Sequence, residues 1–298
     1  DTDSLNLKLG SWEFALPQVW TENLLGLLAC LGTAYIIAET NNSLQIIRIR
    51  TRLMSCVWLI LFACLPFVYP VGPPSLCALC YAIGLFILYR CYQDDPPVVQ
   101  VFHSMLCLGI GSLFWMPLAW TGILFFFCFA VVLRYFSWRC FWAGLIGLLL
   151  PYWCWFLWAL STNDYIPLID HLRQLWHFQV PSISLLMQWP TSWWVCWILS
   201  ASLAVIGIFH FYLTSFNDRL RVRTLFHLYF AQSVFFQIAL FLQPNFYPVL
   251  MPLLLITSTP FVAHFFALTH SRLSNLFFCL ACAGCMALLV LRMLDYTY

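Results

Sequence analysis

Residues Leu113 to Trp155 read LFWMPLAWTGILFFFCFAVVLRYFSWRCFWAGLIGLLLPYWCW. Two apolar runs flank a short connector, and the only charges, Arg134 and Arg139, lie in that connector. Each run approaches the roughly 20 residues that a helix needs to cross the hydrocarbon of a bilayer. A water-soluble core has no use for two such runs back to back. The stretch therefore predicts a helical hairpin in a membrane, with its arginines on one side.

The rest of the chain has the same character. Of 298 residues, 63% are hydrophobic and 8% charged, and the mean hydropathy is +0.88. There is too little polar surface to cover a soluble core, so lipid is the expected solvent for most of the exterior. Among the 13 basic residues only Lys8 is a lysine, and no basic stretch exceeds a short loop. Nucleic-acid binding is not expected. The 14 cysteines lie mostly inside apolar runs, where they act as small apolar side chains rather than as a disulfide framework. No cleavable signal peptide is visible. The chain starts at Asp1 without a methionine, and a further N-terminal segment upstream is expected.

Hydropathy and Pro/Gly punctuation predict an all-α polytopic membrane protein, a single transmembrane domain over 1–298 with about ten helices and short loops. The expected spans are 23–38, 53–69, 76–92, 98–116, 118–133, 141–160, 193–213, 225–242, 248–268 and 276–291. Residues 161–191 form the one sizeable loop, which is expected to be external. Within it Ile169, Leu172 and Trp176 recur at helical spacing opposite Asp170, Arg173 and Gln174, and Pro167 can open the helix. This predicts an amphipathic helix lying in the membrane interface.

Ten spans sort the basic residues unevenly. Arg48, Arg50, Arg52, Arg90, Arg134, Arg139, Arg219, Arg221, Arg223 and Arg272 fall on one side, and Lys8, Arg173 and Arg292 on the other. By the positive-inside rule the arginine loops are cytoplasmic and both visible termini periplasmic. Three hairpins with proline-bearing outer turns hint at a repeat, but no side-chain motif recurs beyond the prolines.

Asp and Glu are absent from the middle of every predicted span, which leaves His103, His210 and His264 as the titratable groups at depth. The richest polar group falls on the eighth and ninth spans: Gln232, Ser233 and Gln237 on one, Thr257, Ser258, Thr259, Pro260 and His264 on the other. A proline-loosened helix facing polar side chains is how transporters build substrate or lipid sites. The same residues also serve as interhelical glue. The arginines Arg48, Arg50, Arg52, Arg134, Arg139, Arg219, Arg221 and Arg223 are candidates for anionic-lipid contact, and are equally what the positive-inside rule demands. Cys77 and Cys80 form a CxxC at a helix start, which can be redox-active or simply apolar. Cys279, Cys282 and Cys285 share an apolar face without a histidine or acid beside them, so neither a metal nor a cofactor is expected. Asp164, Asp170, His171, Arg173 and His177 sit in the outer loop as its wet face, or as acid–base groups. Ala143 with Gly147, Ser200 with Ala204, and Gly109 with Gly111 mark expected helix–helix faces.

The connector resembles a known pattern. Arg134, Phe136, Trp138, Arg139, Gly144, Gly147 and Pro151 are similar to the R-x-F-x-W-R-E connector and Gly-bearing, proline-containing span of a Bacteroidota family of multipass inner-membrane proteins classed as a domain of unknown function. Cys140 stands where that pattern has a glutamate. The resemblance implies a bacterial inner membrane and no particular reaction.

Three functions fit. A non-catalytic subunit of a cell-envelope assembly fits the absence of deep acids, with membrane lipids and other membrane proteins as partners. A transporter or flippase for a lipid-linked, polyprenyl-phosphate type envelope intermediate would use the polar group of spans eight and nine. A membrane glycosyl- or acyltransferase would use Asp164 or Asp170 as base.

Overall fold

The computed structural model describes residues 6–9, 12–15, 19–49, 51–65, 71–92, 97–132, 137–176, 187–269 and 272–295. It opens with the one departure from an all-helical chain. Strand β1 (Asn6–Leu9) pairs antiparallel with β2 (Trp12–Ala15), Asn6 opposite Ala15 and Leu9 opposite Trp12. Every other described element is helical.

Among the described residues, seven helices are long and apolar enough to cross a membrane: Trp20–Leu44, Pro73–Arg90, Trp138–Thr162, Thr191–Thr214, Leu220–Leu242, Pro244–Leu268 and Ser274–Leu291. Three shorter apolar helices, Leu53–Ala63, Val98–Phe114 and Met116–Ala130, occupy the other expected positions. The α-helices are α1 (Val19–Leu44), α2 (Leu53–Ala63), α3 (Pro73–Arg90), α4 (Val98–Phe114), α5 (Thr121–Phe127), α6 (Trp138–Thr162), α7 (Ile166–Arg173), α8 (Thr191–Thr214), α9 (Leu220–Leu242), α10 (Tyr247–Leu268) and α11 (Arg272–Asp295). A 3-10 turn over Met116–Trp120 leads into α5, and a π-helical turn over Cys128–Val132 follows it.

Helix α1 runs six residues beyond its expected end at residue 38. Its last turn is held by Asn41, whose Nδ2 donates to the Thr51 carbonyl at 2.9 Å and whose Oδ1 accepts from Ile47 N at 3.0 Å. One side chain thus closes the loop onto the helix end and supplies contacts that hydropathy does not register.

The chain divides into two units, residues 1–36 with 69–179 and residues 37–68 with 180–298. In the first, α4 packs between α3 and α6. A Cβ on Gly109 would lie 2.6 Å from the Leu148 carbonyl oxygen, and one on Gly147 would collide with the Phe102 carbonyl oxygen. Only glycine lets the two backbones approach this closely. Ser104 Oγ ties α4 to the Gly84 carbonyl of α3 at 2.8 Å. Ser137 caps α6, its Oγ accepting from Cys140 N at 3.2 Å, and Asn163 closes the other end with φ of 57°.

In the second unit α10 is the centre, packed by α2, α8 and α9. Its sequence carries no Asp, Glu, Lys or Arg and places apolar residues on every face, the pattern of a helix enclosed on every side. All its residues from Val249 to Phe265 are buried. A Cβ on Gly207 of α8 would meet the Phe261 backbone of α10, so α8 and α10 touch at their main chains. Trp193 stacks on Tyr247 with centroids 4.5 Å apart, and the Tyr247 hydroxyl donates to the Trp193 carbonyl at 3.1 Å.

Helix α7 forms where expected, with Pro167 in its first turn. Ile169, Leu172 and Trp176 are exposed, as are Asp170 and Arg173, which pair at 3.0 Å. His171 departs from its expected place on the wet face. It is fully buried, and its Nε2 lies 3.0 Å from the Ser112 carbonyl. That carbonyl belongs to the last turn of α4, where the helix has no internal donor left, and the imidazole supplies one.

Candidate functional site

The expected polar group on the eighth and ninth spans separates into three parts. On α10 the hydroxyls turn back onto their own helix: Thr257 Oγ1 donates to the Leu254 carbonyl at 2.9 Å, Ser258 Oγ to Leu255 at 3.3 Å, and Thr259 Oγ1 to Leu255 at 2.6 Å. These groups are buried and satisfied within one turn of the proline-bearing segment.

On α9, Gln232 is wholly buried, whereas Ser233 and Gln237 line a groove of about 580 Å³ between α8 and α9. Gln237 turns toward α8, where its Oε1 accepts from Trp197 Nε1 at 2.8 Å. The walls are otherwise apolar, from Ala201, Val205, Ile208 and Phe209 on α8 to Val234 and Ile238 on α9, until Tyr212 closes one end. Tyr212 Oη lies 3.4 Å from His227 Nδ1, two turns into α9 from its arginine-bearing start.

His264 belongs to the third part, a constellation with His210, expected beside it as a deep histidine, and with Asp218 and Arg48, which were not expected there. Its Nε2 lies 3.5 Å from Asp218 Oδ2, and Asp218 Oδ1 accepts from Arg48 Nε at 2.6 Å. The Asp218 side chain is 2% exposed and that of Arg48 43%. The His210 ring lies 5.5 Å from that of His264, and its Nε2 is 3.0 Å from Thr269 Oγ1. Phe211 and Phe226 pack on the His264 ring, with Phe261 against both of them. Asp218 stands in a polar, arginine-rich connector that sequence reading assigns to a solvated loop. The available signal was its place as the one acid among Arg219, Arg221 and Arg223.

Of the arginine candidates, Arg48 is in this network, Arg52, Arg139 and Arg219 are exposed, and Arg221 and Arg223 are half-buried. Arg50 and Arg134 lie outside the described residues, as does His177 of the outer loop. His103 is exposed, with its Nδ1 2.8 Å from the Val99 carbonyl one turn back. All 14 cysteines are free thiols; Cys77 is buried with its Sγ 3.5 Å from the Gly111 carbonyl. Among the described residues no group of three or more His, Cys, Asp or Glu could hold a metal ion. No protein-family profile, no curated protein and no solved structure matches the chain.

Proposed function

We propose that the chain is a ten-span inner-membrane protein that carries a lipid-linked anion of the polyprenyl-phosphate type between leaflets. The groove between α8 and α9 carries this reading. From Ala201 to Tyr212 it runs about 16 Å along the helices, apolar enough for a prenyl or acyl chain, with Ser233 and Gln237 as polar contacts. Its Tyr212 end points toward the arginines that precede and open α9, which suit a phosphate.

The ten-span threading is supported by which loops touch. The Glu22 carbonyl at the start of α1 accepts from Val71 N at 3.2 Å, so the chain after α1 has returned to that helix's first turn by residue 71. Helix α2, of 11 residues, lies in the intervening sequence. Trp120 Nε1 donates to the Leu175 carbonyl at 3.1 Å. These contacts, like Trp193 with Tyr247, join loops expected outside; Arg48 with Asp218 and His210 with Thr269 join loops expected inside. The sorting of arginines supports the cytoplasmic assignment of that second set. The Arg134–Pro151 pattern supports a place beside the Bacteroidota family.

The hydroxyls of Thr257, Ser258 and Thr259 favour a second reading, a non-catalytic subunit of an envelope assembly, because they are satisfied inside their own helix. Reconstitution separates the two. Liposomes containing the protein and a fluorescent polyprenyl phosphate should exchange the lipid between leaflets faster than protein-free liposomes, and Gln237→Leu should abolish the gain. Equal rates with and without the protein, together with a stoichiometric protein partner on purification from native membrane, would establish the subunit reading instead.

A further inference from the structure

Four polar atoms of the second unit's ion network are buried without a hydrogen-bond partner: Nδ1 and Nε2 of His264, Nδ1 of His210, and Oδ2 of Asp218. Buried polar atoms normally have partners, and four such atoms on adjoining side chains call for a chemical explanation. The rings of the two histidines are 5.5 Å apart, and the open Asp218 oxygen lies 3.5 Å from His264 Nε2. Neutral His264 carries one ring proton; with that proton on Nδ1, Nε2 and the Asp218 oxygen face each other as two acceptors, and one added proton between them satisfies both.

We propose that His264, Asp218 and His210 form a proton-binding site: one proton, taken up from the arginine-bearing side, is held between His264 Nε2 and Asp218 Oδ2, and Arg48 competes with it for the same carboxylate. The second imidazole cannot take a proton at the same time, because two imidazolium ions at this separation repel. His210 instead keeps its Nε2 toward Thr269 Oγ1. Protonated His264 draws on the Asp218 charge and weakens its hold on Arg48, whose half-exposed guanidinium then faces an incoming anion. Proton uptake and anion capture at Arg48 favour each other, and by linkage the coupling runs both ways.

The charged and titratable neighbours are few. Helix α9 brings Arg221 and Arg223 in its first turn, and its His227 lies beside Tyr212 instead. Arg52 before α2, Arg219 before α9 and Arg272 at the start of α11 are exposed. Phe211 and Phe226 pack on the His264 ring, and Asp218 is the acid that pairs with it.

The site does not rest on the transport reading, and its test uses no transport measurement. The full chain, with isotope-labelled histidine, is placed in lipid nanodiscs and titrated by NMR, with His210→Gln and His264→Gln assigning the signals. His264 should take up one proton over a pH range in which His210 stays neutral. Asp218→Asn should move its midpoint down by about one pH unit or more, and Arg48→Gln should move it up. His227→Gln should leave it in place. Protonation of both histidines over the same pH range, or a midpoint unmoved by both charge variants, overturns the proposal. If Asp218→Asn does not fold, Arg48→Gln applies the same test with the opposite sign.

Discussion

Arg48 and Asp218 are 170 positions apart in the chain, and the guanidinium Nε of one lies 2.6 Å from a carboxylate oxygen of the other. The contact fastens the loop after α1 to the connector between α8 and α9.

The pair is unequal, and its variants should be too. Arg48→Ala strands a carboxylate that is almost wholly buried, whereas Asp218→Asn strands a guanidinium that already reaches solvent. The first should cost about 3 kcal/mol and the second about 1–2 kcal/mol, at or below the range for breaking a fully buried pair. Thermal unfolding in detergent with a double-mutant cycle measures both. Equal costs would contradict the asymmetry of burial.

His171 makes stability depend on pH. Burial lowers its proton affinity below the ordinary histidine value, and the bond to the Ser112 carbonyl offsets this only in part. The unfolded chain therefore binds a proton at higher pH than the folded one. The contribution of neutral His171 is intact above about pH 6.5 and is lost as pH falls from there toward the lower folded value. The melting temperature of the protein should fall over that interval, and His171→Leu should flatten the part of the slope that this residue causes. An identical slope in the variant would contradict the assignment.

Much of the fold was legible in the sequence because hydropathy and Pro/Gly turns are local signals. The apolar segments fall at the expected places, and Gly109 and Gly147 mark a close helix contact. What was not legible depended on partners far along the chain. Asp218 reads as a loop acid because Arg48 and His264 lie on other elements. His171 reads as a surface residue because its carbonyl partner is 59 positions away. The extra turns of α1 rest on Asn41 reaching residues beyond the helix. Gln237 was grouped with the polar residues of α10 because the two spans are consecutive, and succession in the chain says nothing about azimuth: its side chain turns to Trp197 on α8.

The glycine contact gives a packing test. Gly147→Val should cost about 1–3 kcal/mol or more, because the added carbon meets main chain that cannot move aside. Gly122→Ala is the control, since its Cβ would stand 3.5 Å from flexible Leu148 and Met105 side chains. Thermal midpoints should fall for the first and hold for the second.

The threading of the chain underlies the whole account, and site-directed labelling with a membrane-impermeant maleimide tests it most directly. Leu220 and Asp164 are both exposed and belong to connectors expected on opposite faces. In intact cells, cysteine at position 164 should be labelled and cysteine at position 220 should stay unlabelled until the membrane is permeabilised. Labelling of position 220 in intact cells, with position 164 protected, would contradict the account.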